Sequence, residues 1–294
     1  MKDRSFTLAD GRNLGYIEYG EPTGIPILLL HGTPGSRIFG FEKEPLVEAA
    51  HLRLITPERP GYGVSTLHSG RTLMSFARDL AQLADALALT RFHVAGISGG
   101  GPYALACGAV LGDRVGSVSL IASATPVDME GFYQGMSFGN RLIFRLSKTA
   151  PFIVKLLYRL ATREVLKRPE KVIAGIEAQL CEWDKRVLNH LRNNGQVEVF
   201  IAHLQEAYRQ GIEGAYSDTM LLSQPWGIDY QRISAPVFMW HGQADTLMPI
   251  APAQAFSRML PQCESEFIAD AGHFLLEDEE IAKRILSKVL RTGV

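Results

Sequence analysis

The residues Gly96-Ile97-Ser98-Gly99-Gly100 form a G-x-S-x-G pattern, which is suited to nucleophilic attack by a serine hydroxyl. Their setting matters more than their letters. The apolar run Phe92-His-Val-Ala95 precedes them, and an Ala-rich segment opening at Pro102 follows. Ser98 is therefore expected on a tight turn from strand to helix. Such a turn strains the backbone and stands the hydroxyl clear at the carboxyl edge of a sheet. Gly96 and Gly100 suit a place where two segments approach too closely for a Cβ atom. Pro102 suits a first helical turn, where a missing N–H costs nothing. The helix N-terminus also favours negative charge developing beside Ser98.

A serine hydroxyl needs a base and an orienting acid. The chain has eight histidines. His93 lies inside a strand, and His51 and His68 lie in polar surroundings. His190 and His203 fall in a helical region where packing or surface roles are the plain expectation. His31 and His241 each precede a glycine at a strand end and suit loop-shaping. His273, in Ala271-Gly-His-Phe274, lies between the last strand and the last helix. A loop there reaches the same sheet edge as Ser98, so His273 is the expected base. The acid should fall between serine and base in the chain. Asp245, in His241-Gly-Gln-Ala-Asp245, follows a strand ending at Trp240 and is preferred. Asp128, after the strand ending near Ala122, is the alternative, and Asp270 suits a turn. Two N–H donors for a developing oxyanion complete the set. One is Gly99. The other is Thr33, in His31-Gly-Thr-Pro-Gly35, although a plain Gly/Pro turn would read the same way.

The elements that must position these residues alternate regularly. Phe6, Leu8, Leu14, Tyr16, Ile17 and Tyr19 flank a turn at Asp10-Gly11 and predict a hairpin. Pro26–Leu30, Leu52–Ile55, Phe92–Ala95, Val115–Ala122 and Pro236–Trp240 read as buried strands. Leu73, Phe76, Ala77, Leu80, Leu83, Ala84 and Leu87 recur at helical spacing over 72–89. A helix near 251–260, a strand near 266–268 and a final helix over 275–290 follow. This pattern predicts an α/β fold with a mostly parallel central sheet flanked by helices. From about Pro126 to Gly227 only helical periodicity is visible. That stretch of roughly 100 residues is far longer than an ordinary connection. The expected division is a core of 1–125 and 228–294 with a helical insertion of 126–227.

Taken together, the residues resemble the α/β-hydrolase superfamily. The resemblance covers about 20–124 and 228–294. It rests on His31-Gly-Thr-Pro34, Glu58-Arg-Pro-Gly-Tyr-Gly63, Gly96-Ile-Ser-Gly-Gly100, His241-Gly-Gln-Ala-Asp245 and Gly272-His273. It implies Ser98 as nucleophile, His273 as base, Asp245 as acid, and the Thr33 and Gly99 amides as oxyanion hole. The insertion matches the position of that family's helical cap. Glu58 stands where Asp is more usual, a departure expected to alter a structural loop. A serine nucleophile weakens the dehalogenase and epoxide hydrolase readings, which use Asp. The expected activity is hydrolysis of a carboxylic ester of a small or medium apolar compound. A thioesterase, a C–C bond hydrolase, an aminopeptidase and a ligand-sensing protein that keeps the pocket are alternatives. The chemistry requires neither a cofactor nor a metal.

Composition bounds the remaining possibilities. The chain has 294 residues, 46% hydrophobic and 21% charged, with 30 Lys+Arg against 31 Asp+Glu. Near-neutral charge speaks against a nucleic-acid partner. No stretch has the length and apolarity of a membrane span. Three scattered cysteines (Cys107, Cys181, Cys263) make no disulfide framework, and no secretory signal is visible, so a cytoplasmic location is expected. The net charge is nonetheless a cancellation. Nine basic residues face only Glu164 and Glu170 over 141–171, whereas 264–280 carries seven acidic residues and no Lys or Arg. The basic stretch reads as a solvated outer face or as an attraction for an interfacial or anionic substrate. The two opposite signs could also help seat the insertion. Trp183, Trp226, Phe132, Tyr133 and Phe138 suit either pocket lining or packing.

Overall fold

A computed structural model of the chain describes residues 2–38 and 44–292. Eight strands form one sheet: β1 (Lys2–Thr7), β2 (Asn13–Gly20), β3 (Ile25–Leu30), β4 (Leu52–Pro57), β5 (Phe92–Ile97), β6 (Val115–Ile121), β7 (Val237–Gly242) and β8 (Cys263–Ile268). Their order is β1-β2-β4-β3-β5-β6-β7-β8. The β1–β2 and β2–β4 pairs are antiparallel, and every pair from β4 to β8 is parallel. This is the α/β architecture expected from the sequence, with the N-terminal hairpin at one edge.

Parallel strands buried on both faces need apolar side chains on both faces, and these strands supply them. Leu28 and Leu30 of β3 enter one core together with Val94, Val118 and Leu120. Helices α2 (Leu73–Ala86), α3 (Gly101–Leu111) and α10 (Ile250–Ser257) cover that face. The alternate residues Ile27 and Leu29 enter a second core with Ala95, Ile121, Phe238 and Trp240. There α1 (Glu44–Ala49) and α11 (Glu279–Leu290) provide the cover. Helix α2 is fixed at its start by a reciprocal pair: Thr72 Oγ1 accepts from the Ser75 N–H (3.0 Å) and Ser75 Oγ accepts from the Thr72 N–H (2.9 Å).

Between β6 and β7 the described residues contain helices and no strand: α4 (Phe138–Thr149), α5 (Pro151–Lys167), α6 (Pro169–Glu177), α7 (Glu182–Asn193), α8 (Val197–Ala207) and α9 (Glu213–Leu222). Pro151 opens α5, where its missing N–H is harmless. Much of the acidic stretch near the C-terminus is engaged with the last helix. Glu264, Glu266, Glu279 and Glu280 pair with Lys288, Arg284 and Lys283 of α11. Among the described residues no helix is long and apolar enough to cross a membrane.

At the turn from β5 into α3 backbone segments pass very close to one another. A Cβ on Gly96 would lie 2.3 Å from the Gly100 carbonyl oxygen, and one on Gly100 would lie 2.3 Å from the Leu30 carbonyl oxygen. Both obstacles are backbone and cannot swing aside. Gly100→Ala is therefore expected to destabilise the chain by about 2–3 kcal/mol in urea unfolding, and a loss under about 1 kcal/mol would contradict this packing.

Candidate active site

Ser98 directly follows β5 and has φ +52°, in the left-handed region that non-glycine residues seldom adopt. The strain is the one expected for a serine on this turn. The Ser98 carbonyl accepts from the Ala124 N–H at 2.9 Å, which ties the turn to the end of β6. Beside it, the segment after β3 passes close. A Cβ on Gly32 would lie 3.5 Å from Ser98 Cβ, and one on Gly99 would lie 2.4 Å from Thr33 Oγ1. Thr33 and Gly99 thus flank Ser98 on adjoining loops.

Asp245 follows β7 and His273 follows β8, so the sheet edge brings both to the Ser98 side. His273 Nδ1 donates to Asp245 Oδ2 at 2.7 Å. Asp245 Oδ1 accepts from the Leu247 and Met248 N–H groups, both at 2.8 Å. These bonds aim one carboxylate oxygen at the imidazole and leave Nε2 for the cavity. Burial alone would lower the His273 pKa. The facing Asp245 charge and hydrogen bond outweigh it, with Asp184 adding, and the pKa lies above the ordinary 6.5. Burial raises the Asp245 pKa, yet the imidazole and the amides hold it below the usual carboxylate value. Asp128, the alternative acid, is exposed, and Asp270 is an exposed turn residue with φ +58°.

Ser98, Gly99, Thr33 and His273 all line one cavity of about 290 Å³. Its other walls are mainly apolar: Ile97, Ile121, Leu222, Met248 and Phe274 from the sheet side and α9, and Ile143, Phe144, Leu188 and Leu204 from the inserted helices. Polar groups are few, among them Asn140, Gln179 and a Tyr158–Thr219 hydrogen bond of 2.6 Å. No Lys or Arg is among the described lining residues. His203 also lines it. That histidine is paired with Ser36 Oγ at 3.0 Å and is pushed down to about 3 by burial and by Arg59, so it is neutral. Trp183, Trp226, Phe132 and Tyr133 are packing residues instead; Trp226 meets Phe256 edge-on at 5.8 Å.

Two buried carboxylates of the inserted helices, neither singled out by the sequence, reach this machinery. Asp218 of α9 is fully buried. Its oxygens accept from Thr33 Oγ1 (2.9 Å), Arg59 Nε (2.8 Å), Tyr62 OH (2.8 Å), Tyr103 OH (2.6 Å) and the Arg71 guanidinium. Burial opposes the charge, but the two guanidiniums prevail and hold the carboxyl well below its usual range. Arg59 in turn donates to the His31 carbonyl and to the Gly32 carbonyl (2.7 Å), bracing the loop that carries Thr33. Asp184 of α7 accepts from the Phe274 N–H at 3.0 Å and abuts Gly272, on either side of His273. A signal was present in Gly214, a glycine within α9. A Cβ there would lie 2.7 Å from the Gly61 carbonyl oxygen, so the helix must press against the Arg59–Gly63 loop.

The remaining motif residues shape loops. His31 Nδ1 donates to the Gly32 carbonyl at 2.8 Å, and its Nε2 accepts from the Arg59 N–H at 3.2 Å. His241 Nε2 donates to the Met248 carbonyl at 2.7 Å. Glu58 is buried, accepts from the Val64 N–H at 2.8 Å and pairs with Arg37 at 3.2 Å. Among the described residues no group of three or more His, Cys, Asp or Glu is placed to hold a metal ion.

This fold and this arrangement at the sheet edge define a hydrolase class. The model of the alpha/beta hydrolase fold family matches residues 25–280, and the chain belongs to that family. It is 27% identical over 292 residues to an uncharacterized hydrolase of Bacillus subtilis, covering 96% of each chain. It is 26% identical over 250 residues to a non-heme chloroperoxidase of Streptomyces lividans, covering 84% of each. Among solved structures it is similar to a thermophilic esterase of Thermogutta terrifontis, with TM-score 0.70, 24% identity and complete coverage of both chains.

Removing the Asp218 carboxylate would leave two buried guanidiniums facing one another without compensation. Asp218→Ala is expected to cost about 3–5 kcal/mol of stability in urea unfolding. A loss under about 1 kcal/mol would show that Arg59 and Arg71 find other partners.

Proposed function

We propose that the chain is a serine hydrolase that cleaves carboxylic esters of small or medium apolar compounds through an acyl-enzyme. The observation that carries this reading is the apolar cavity lined by both the strained Ser98 and the Asp245-oriented His273. A mainly apolar lining without Lys or Arg, with Glu277 among its few polar groups, offers no cation to an anionic substrate. Helices α4–α9 act as the cap over that cavity.

In the first half-reaction Ser98 Oγ attacks the ester carbonyl while its proton passes to His273 Nε2. Asp245 stays ionised and stabilises the imidazolium. The carbonyl oxygen becomes an oxyanion and accepts from the Thr33 and Gly99 N–H groups. As the C–O bond breaks, His273 returns its proton to the departing alkoxide, which leaves as an alcohol. In the second half, water gives a proton to His273 and attacks the acyl carbon. Collapse of that intermediate frees the acid and returns the proton to Ser98.

Ser98→Ala should lower hydrolysis of p-nitrophenyl butanoate by about 10⁴-fold or more and abolish labelling by a fluorophosphonate. Unchanged labelling would contradict the assignment. A graded set of esters, thioesters, amides and carbon–carbon substrates should show multiple turnovers fastest on esters. Tight binding with at most one turnover would instead mark a ligand sensor.

The pH profile follows from the sign of the His273 shift. Only neutral imidazole accepts the Ser98 proton, so kcat/KM should fall as pH drops through one group titrating above 6.5. Asp245→Asn removes the dominant raising influence. Its acid limb should move to lower pH while the rate falls about 10³–10⁴-fold. An unmoved limb would mean that another group sets it.

A further inference from the structure

The first two inserted helices present an outer face that the proposed reaction does not use. On α4, Phe138, Leu142, Arg145 and Lys148 recur at helical spacing, and on α5, Phe152, Leu156, Leu160, Arg163 and Lys167 do so; all are exposed. Phe138 is 77% and Phe152 74% exposed. Lone exposed leucines are ordinary, but on each of these two consecutive, mutually packed helices an almost bare phenylalanine stands one turn from an exposed leucine, and apolar surface of that kind calls for a partner.

The composition of the patch narrows that partner. Its polar side chains are basic, with Arg145, Lys148, Arg159, Arg163 and Lys167 all exposed. This is the pairing of apolar and cationic side chains that lies in the interfacial plane of a bilayer. The cations do not serve the cavity, which has no Lys or Arg among its described lining residues. A second copy of the chain is a poor electrostatic match. Four of the five glutamates of its acidic stretch, Glu264, Glu266, Glu279 and Glu280, are already paired with Lys288, Arg284 and Lys283. Meanwhile the inner sides of the same helices reach the cavity through Asn140, Ile143, Phe144 and Tyr158.

We propose that the outer face of α4 and α5 docks the chain onto the surface of a bilayer containing anionic phospholipid. The phenylalanines and leucines enter the boundary between headgroups and acyl chains, and the basic side chains meet lipid phosphates. An apolar substrate dissolves in that same bilayer, next to the helices that wall the cavity. This last consequence rests on the proposed ester hydrolysis, whereas the docking does not.

The test is flotation of the full chain with phosphatidylcholine vesicles, with and without phosphatidylglycerol. Binding is expected only to the anionic vesicles and should weaken about tenfold or more between about 0.1 and 0.5 M salt. Phe152→Ser with Leu156→Ser, and separately Arg159→Glu with Arg163→Glu, should each lower partitioning about tenfold. Neither pair should alter the melting temperature or turnover of a water-soluble ester. Absence of flotation, equal binding by wild type and variants, or salt-independent binding would overturn the proposal. So would a vesicle-independent dimer dispersed by the same substitutions, which would assign the face to a second copy. Because the readout is partitioning, loss of the Ser98 assignment would leave this result standing.

Discussion

The Asp218 carboxylate joins the helices between β6 and β7 to the loops at the sheet edge. It belongs to α9, yet its hydrogen-bond partners come from the loop after β3, from the loop after β4, from Arg71 before α2 and from α3. A buried carboxylate is costly unless charge and hydrogen bonds compensate it. Here two guanidiniums, two phenols and a threonine hydroxyl do so. These bonds fix α9 against the sheet-edge loops. The same bonds hold the backbone of His31–Thr33 against Ser98. Seating the helices and shaping the site are one physical event in this fold.

Around that joint the sheet distributes the chemistry. Thr33, Ser98, Asp245 and His273 follow β3, β5, β7 and β8, whose parallel course places all four loops at one edge. The strain at Ser98 is supported by glycines whose missing side chains let three backbone segments pass within contact distance. Asp184 adds a second reach from the inserted helices, to the amide beyond His273. Both loops that face the proposed tetrahedral intermediate are thus braced by a carboxylate from the insertion. Rigid positioning of that kind is what electrostatic stabilisation of an oxyanion requires.

The parts of this arrangement legible in the sequence were those set by local rules. The elbow glycines and Ser98 answer to backbone sterics within a few residues. Asp245 and His273 are expected together because parallel strand ends share an edge, and in the structure the two are hydrogen-bonded. Asp218 and Asp184 are not legible because a carboxylate on a helix reads as solvated until its tertiary partners are known. His203 read as a surface or packing residue for the same reason, although it lines the cavity. The aromatics near the insertion pointed to no pocket wall, since indole and phenyl groups fill core space equally well. The charge cancellation between 141–171 and 264–280 was visible as numbers. The ion pairs of α11 engage Glu264, Glu266, Glu279 and Glu280, while Arg145, Lys148, Arg159, Arg163 and Lys167 of the basic stretch lie exposed.

Hydrolysis by the proposed route requires a covalent intermediate at one hydroxyl. Rapid acid quenching of the full chain during turnover of p-nitrophenyl butanoate, followed by intact-mass measurement and peptide mapping, reads it directly. The expected result is a transient adduct one acyl group heavier in place of one hydrogen, confined to the peptide carrying Ser98 and decaying at the rate of acid release. An adduct on another residue, or steady turnover with none at any quench time and no burst of nitrophenol, would contradict it.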